Sequence, residues 1–216
     1  MVKEIGKENS VLNRFISEIR SEQIQKDRMR FRKNLERIGE IMAYEISKEL
    51  AYETKEIVTP LGELDMSLMS EEPLIATILR AGLPFHQGFL NYFDEADNGF
   101  VSAYRRYHKG GEFEIEVEYV SCPSIEGRTI IIADPMIATG ASIECVYKAL
   151  RSRGNPKHVH IASVIASVQG IDHLRSHLPN NVTFWSGAVD KELTAQAFIV
   201  PGLGDAGDLA FGRKDA

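Results

Sequence analysis

Apolar positions recur with two distinct periods along the chain. Near the start, Leu12, Phe15, Ile16 and Ile19 follow helical spacing, and Ser10 is placed to cap that helix. Phe31, Leu35, Ile38 and Met42 form a second helical stripe, so residues 1–50 read as helical. Residues 55–59 and 63–68 flank Pro60-Leu61-Gly62, a turn signal, which predicts a β-hairpin over 54–68. Leu74-Ile75-Ala76-Thr77-Ile78-Leu79 suits a buried strand, ending at Arg80-Ala81-Gly82. A helix should follow, with Pro84 in its first turn and Phe85, Phe89, Leu90 and Phe93 inward. Residues 114–119 alternate strictly, as expected of a half-exposed strand that is antiparallel or at an edge. Ile130-Ile131-Ile132 is apolar on both faces, which predicts a central parallel strand over 129–133. Ile143, Val146, Tyr147 and Leu150 then mark a helix, closed by Arg151, Arg153, Gly154 and Pro156. Residues 159–166 read as a buried strand and Ile171, Leu174 and Leu178 as a short helix. Residues 182–186 and 197–200 are the last strand candidates.

Strands alternating with helices predict an α/β class, a mostly parallel sheet flanked by helices with right-handed crossovers. A length of 216 residues suits one core domain with additions, and no linker divides residues 1–216. The additions are 1–50, the hairpin arm at 54–68, and a segment at 182–216. Apolar and charged fractions of 44% and 26% exclude a disordered or collagen-like chain. Lys+Arg is 25 against 31 Asp+Glu, a net charge of −6. That argues against a broad nucleic-acid-binding face but leaves room for one local cationic pocket. Cys122 and Cys145 lack metal-type spacing and fit free thiols in a cytoplasmic setting. No leader sequence or membrane span is expected. Arg28, Arg30, Arg32 and Lys33 form a basic cluster. Its plainest reading is a solvated helix face; an oligomer contact or effector site is the alternative.

The segment from Asp134 through Pro135, Met136, Ile137, Ala138, Thr139, Gly140 and Ala141 to Ser142 carries the most chemistry. A buried strand delivers Asp134 at its C-terminal end, and Pro135 holds that residue extended. Ligands of open α/β sheets bind beyond the carboxyl ends of strands. Small residues leading into a helix N-terminus make an anion site, to which Thr139 and Ser142 add hydroxyls. Asp134 suits sugar hydroxyls, so the loop suggests a ligand with both phosphate and ribose. It is not a Walker A loop, because it has no Gly-Lys-Ser/Thr. An ordinary βα turn is the plain alternative.

This segment resembles the phosphoribosyl-pyrophosphate loop of type I phosphoribosyltransferases, in the form found in their uracil-specific branch. The resemblance extends to Phe31-Arg32, to Ile78-Leu79-Arg80-Ala81-Gly82-Leu83, to Tyr104-Arg105, and to the tail from Ile199 through Asp208. These matches span nearly the whole chain in order. They imply a phosphoribosyltransferase-like fold with a small β hood, residues 182–216 holding the base. They also imply transfer of a phosphoribosyl group to uracil, giving UMP and diphosphate, with Mg²⁺ carried on the substrate's pyrophosphate. A homo-oligomer, dimer or tetramer, is implied too.

By that resemblance, Arg80, Arg105, Asp205 and residues 134–142 bind phosphoribosyl pyrophosphate. Ile199, Gly204, Asp205 and Ala206 bind uracil, and Asp205 and Arg105 are catalytic. Small side chains in Gly202-Leu203-Gly204-Asp205-Ala206-Gly207 let backbone approach a flat ligand. The G-x-G-x-x-G match there is not a dinucleotide fingerprint, since no βαβ unit follows. Arg80 ends a buried strand and needs an anion, either a ligand or an ion-pair partner. Tyr104-Arg105-Arg106-Tyr107-His108-Lys109-Gly110-Gly111 reads as a loop that closes over pyrophosphate. Two departures stand out. Ala141 replaces a second glycine and is expected to start the helix. Ser167-Val168-Gln169-Gly170 replaces a turn usually written Ala-Pro-Glu-Gly. His173 and His177, beside Asp172, have metal spacing but no further ligand, and His158 and His160 lie on a buried strand; all four read as structural or solvent-facing. No metal-ligating set is therefore expected. A rival of another class is a pyrimidine-operon regulatory protein of the same fold, binding nucleotide and RNA.

Overall fold

The computed structural model describes residues 2–107 and 113–213. The chain opens with a short strand, β1 (Val2–Glu4), where helix was expected. Three residues are too few to display a period, and β1 is fixed only by parallel pairing with a distant strand. Helix α1 (Val11–Arg20) begins as expected at Ser10. The Ser10 hydroxyl accepts from Leu12 N, and Asn13 returns a contact to Ser10 N. Such a cap contributes about 1 kcal/mol. Helix α2 (Arg28–Ser47) is capped by Asp27 and buries Phe31, Leu35, Ile38 and Met42 along one stripe.

Of the basic cluster on α2, Arg28 and Lys33 are exposed as expected of a solvated face, while Arg30 and Arg32 contact other elements of the fold. Arg30 grips Glu18 of α1 with two contacts of 2.9 Å, and Arg32 donates to the Ala210 carbonyl. Strands β2 (Tyr52–Thr59) and β3 (Gly62–Met69) pair from Tyr52–Met69 to Thr59–Gly62, forming the expected hairpin. They make their own two-stranded sheet apart from the main one.

The main sheet is assembled from β4 (Leu74–Leu79), β5 (Asn98–Tyr107), β6 (Phe113–Ser121), β7 (Thr129–Ala133), β8 (Met136–Ile137), β9 (His158–Ser167) and β10 (Val182–Asp190). Its order is β1-β10-β9-β7-β4-β5-β6, with β8 added on β9. Among the described strands of this sheet, only β6 runs antiparallel, at one edge, as its alternating pattern predicts. β7 sits between β4 and β9, parallel to both.

Strand periodicity divides the core into two layers. Ile131 points into the layer formed with α1, α2 and α3 (Gly82–Leu90). Ile130 and Ile132 point the other way, to α4 (Ala141–Leu150) and α5 (Val168–His177). All three isoleucines are fully buried, so each face of β7 carries part of the core. The chain ends with β11 (Glu192–Leu193), β12 (Ile199–Val200) and the short helix α6 (Ala206–Phe211). The expected strand over 197–200 is shortened to β12, because Thr194 folds the segment before it into a turn. Thr194 N donates to Phe198 O, and Phe198 N donates to the Thr194 hydroxyl.

Candidate active site

The loop after β7 is stitched to β9 along its length. Asp134 N donates to Ala162 O, and the Pro135 carbonyl accepts from Val164 and Ile165. Met136 and Ile137 then pair with Ile165 and Ala166 as β8, a strand with no local signal in the sequence. Gly140 has φ of 84° and immediately precedes α4. A side chain there would meet Gly170 O at 2.8 Å, so glycine is required by both backbone and space. Ala141 instead begins the helix, as expected, and the left-handed position falls on Gly140 alone.

The departed turn at 167–170 has a structural job. Ser167 donates to Ala138 O at 2.5 Å and accepts from Gly170 N, capping α5 while holding the loop. The loop is thereby fixed from outside, with its inner face left to a cavity. The first-turn N–H groups of α4 lack intrahelical acceptors and make that end electropositive.

The cavity has a volume of about 740 Å³ and is bounded by both segments that the sequence singled out. Asp134, Met136, Ile137, Ala138, Thr139, Gly140 and Ser142 form one wall. Gly204, Asp205, Ala206 and Gly207 form another, more than sixty residues away in sequence. This size falls within the range of small-molecule sites.

Not every candidate reaches the cavity. Pro135 and Ala141 do not line it; one is turned to β9 and the other is committed to the helix. Ile199 is buried in the β11–β12 pair behind the wall, not in it. Arg80 also lies behind the wall. Its Nη2 is 3.2 Å from Gly212 O and 3.6 Å from Asp208 Oδ1, so it has a structural partner. Its Nε, however, is buried with no hydrogen-bond acceptor. Arg105 belongs to β5, but its side chain, like residues 108–112 of the expected closing loop, lies outside the described part of the structure.

Gln196, Ala197 and Phe198 form a third side that the sequence did not reveal. Their exposure follows from the Thr194 turn, where Ala197 takes φ of 62°.

Two carboxyl groups line the cavity among the described residues, in different settings. Burial raises the pKa of Asp134 to about 7, offset only in part by a hydrogen bond from the Met136 backbone. It therefore sits poised between charged and neutral and in need of donors. Asp205 is exposed and its Oδ1 accepts from Asp208 N, capping α6. No cationic side chain lines the described wall; the local positive potential comes from α4, with Arg80 behind.

A profile of the uracil phosphoribosyltransferase family matches residues 7–213. The chain belongs to the uracil phosphoribosyltransferase family. A uracil phosphoribosyltransferase of Porphyromonas gingivalis is 55% identical over 210 residues, covering 97% of each chain. One from Pyrococcus furiosus is 39% identical over 204 residues, covering 92% of this chain and 87% of the relative. A solved structure from Aquifex aeolicus superposes with a TM-score of 0.85 at 28% identity over 98% of both chains. A hypoxanthine phosphoribosyltransferase structure from Staphylococcus aureus shares the fold at a TM-score of 0.50 and 15% identity. Uracil phosphoribosyltransferases are pentosyltransferases of pyrimidine salvage, and the parallel sheet, the two small antiparallel pairs and the loop after β7 are this chain's version of that design.

Proposed function

We propose that the cavity joins uracil to the ribose of phosphoribosyl pyrophosphate, with UMP and diphosphate as products. The facing of the 134–142 loop and the 204–207 segment across one cavity carries this reading. In the reaction the C1–O bond to pyrophosphate breaks, a C1–N bond to uracil forms, and the ring nitrogen loses a proton. The transition state gathers positive charge on the sugar while negative charge leaves, so its main need is electrostatic.

The 5′-phosphate fits the N-terminal end of α4, with the Thr139 and Ser142 hydroxyls beside it. Asp134 accepts hydrogen bonds from the ribose hydroxyls, and these donors meet the demand of a half-desolvated carboxyl. Arg80 supplies positive charge to the pyrophosphate from behind the wall, together with Arg105. Backbone groups of Gly204 and Ala206 read the edge of the base, where the absence of bulky side chains permits close approach. Ile199 supports that wall from behind. Asp205 stands next to both sites and takes the ring-nitrogen proton through water. Fixing both partners in one cavity supplies the orientation that a bimolecular transfer requires.

Among the described residues the cavity's polar side chains are carboxyl, hydroxyl and amide groups, with no thiol or imidazole. That set suits a hard ion already held by phosphate oxygens, so Mg²⁺ enters with the substrate. When bound, it neutralises charge on the departing pyrophosphate.

The hairpin β2–β3 supports assembly into a homo-oligomer. Val58 is 74% exposed and Leu61 fully exposed on an arm that stands clear of the main sheet. Light scattering on the eluted protein checks this. The low cysteine count, Cys122 and Cys145 without metal-type spacing, supports a reducing, cytoplasmic location. No helix among the described residues is long and apolar enough to cross a membrane.

The deciding assay incubates the protein with labelled uracil, cytosine or hypoxanthine, phosphoribosyl pyrophosphate and Mg²⁺. UMP formed from uracil supports the reading; no nucleotide from any base overturns it. Filter binding with RNA at two salt concentrations tests the regulatory alternative.

A further inference from the structure

Behind the 134–142 loop, on the side away from the cavity, the structure gathers three ligand-type side chains from two helices. His173 and His177 are one turn apart on α5, with ring centroids 4.1 Å apart and planes within 23°. Glu144 reaches them from the first turn of α4. His173 Nε2 is 2.6 Å from Glu144 Oε2, and one donor atom from each residue lies within 4.8 Å of the others. The sequence shows the two histidines but hides the carboxylate, which is 29 residues away. Asp172, the acid adjacent in sequence, is directed to Arg175 instead, at 3.5 Å.

An ordinary ion pair explains only part of this arrangement. A His173–Glu144 pair does not need His177, and two imidazolium rings stacked at this distance would repel each other. Two neutral imidazoles sharing one cation do not. His177 Nδ1 donates to the His173 backbone carbonyl at 2.7 Å, which fixes the ring and leaves Nε2 as the atom available to a ligand. Lys148 donates to one oxygen of Glu144 and His173 bonds the other, which orients the carboxylate. The trio thus brings one ligand-type atom from each of three residues within 4.8 Å of one another on a partly exposed surface.

We propose that Glu144, His173 and His177 bind a transition-metal ion of the Zn²⁺ class at a site separate from the cavity. Two imidazoles and one carboxylate suit a borderline ion in tetrahedral coordination. They do not suit Mg²⁺, which prefers an all-oxygen octahedral shell. The ion fastens α4 to α5 next to the loop they frame. The Cδ2 of His173 would lie 3.2 Å from a methyl group placed on Gly140, so the ring edge already abuts the loop.

The experiment titrates zinc chloride into the full-length protein in phosphate-free buffer, against a chromophoric chelator. One ion per chain is expected, undisturbed by excess Mg²⁺. His177→Ala and Glu144→Gln should each weaken binding by at least about tenfold, since even outer-shell changes cost roughly 10–100-fold at metal sites. A Cys122→Ser/Cys145→Ser variant should bind like the parent, which separates this site from the thiols. In the parent protein, ring resonances of His173 and His177 should shift with the first equivalent while those of His158 and His160 stay. No stoichiometric binding overturns the proposal. So does binding that survives both ligand substitutions, or that disappears with the thiols.

Discussion

Arg20 and Asp190 meet in a two-pronged contact, Nη1 to Oδ2 at 2.8 Å and Nη2 to Oδ1 at 2.9 Å, and both also hold Gly202. Arg20 donates to the Gly202 carbonyl and Asp190 accepts from its N–H. The end of α1, the end of β10 and the start of the 202–207 segment are therefore tied at one point. Arg20→Ala leaves Asp190 largely buried without its cation, a loss of about 3–5 kcal/mol for a buried pair. Urea unfolding should show that loss. In steady-state kinetics the KM for uracil should rise more than the KM for phosphoribosyl pyrophosphate, because the 204–207 wall is released and the 134–142 wall is not. Equal changes in both would show that the contact stabilises the fold without positioning the tail.

Gly140 and Ala141 test the loop from the other side. Gly140→Ala forces a side chain into left-handed backbone at about 1–2 kcal/mol, and also against Gly170 O. The loop must shift away from α5. Calorimetry should show weaker binding of phosphoribosyl pyrophosphate, with near-parental affinity for UMP's base portion as uracil alone. Ala141→Gly, one residue on, should change stability by no more than about 1 kcal/mol and leave that affinity intact. A harmless Gly140→Ala would mean the loop tolerates another path.

The contrast between those neighbouring residues shows where sequence reasoning succeeds. Ile130-Ile131-Ile132, the stripes on α1 and α2, and the Ser10 cap each have a local period or partner, so their places in the fold are legible. The 134–142 loop is legible because strand end, proline, small residues and helix start are consecutive. β1 and β8 are not, since each is a few residues long and exists only by pairing with a remote strand. The same holds for the carboxylate beside His173 and for Asp208 near Arg80, which are brought close by packing alone. Gln196–Phe198 became a cavity wall through a turn set by Thr194, a residue with no strong turn signature.

Glu18 predicts an acid-sensitive joint between α1 and α2. Hydrogen bonds from Arg30, then Asn34, lower its pKa to about 2, against the cost of burial. A depressed carboxyl pKa contributes stability that is complete above its ordinary value near 4.5 and is lost as pH falls toward 2. Stability measured by urea unfolding should thus decline across that window in the parent. Glu18→Gln should be less stable at pH 7 and show a shallower decline below pH 4.5. Parallel pH curves for the two proteins would remove Glu18 from this role.

Asp134 predicts the opposite slope. Its folded pKa is raised from 3.8 to about 7 by burial, so the empty protein favours the protonated form. The unfolded chain ionises freely near 3.8, and the folded state binds more protons between the two values. This residue's contribution to stability is therefore full below pH 3.8 and is lost as pH rises through 7. Asp134→Asn keeps the shape without the buried charge and should stabilise the unliganded protein at pH 8 relative to the parent. The gap should close toward pH 5. The same substitution should abolish most binding of phosphoribosyl pyrophosphate, because an amide cannot accept from both ribose hydroxyls as a carboxylate does. Thermal unfolding at pH 5 and pH 8, with and without the substrate and Mg²⁺, separates the two effects. A variant that is less stable at pH 8 and still binds the substrate normally would show that Asp134 serves the strand end and not the sugar.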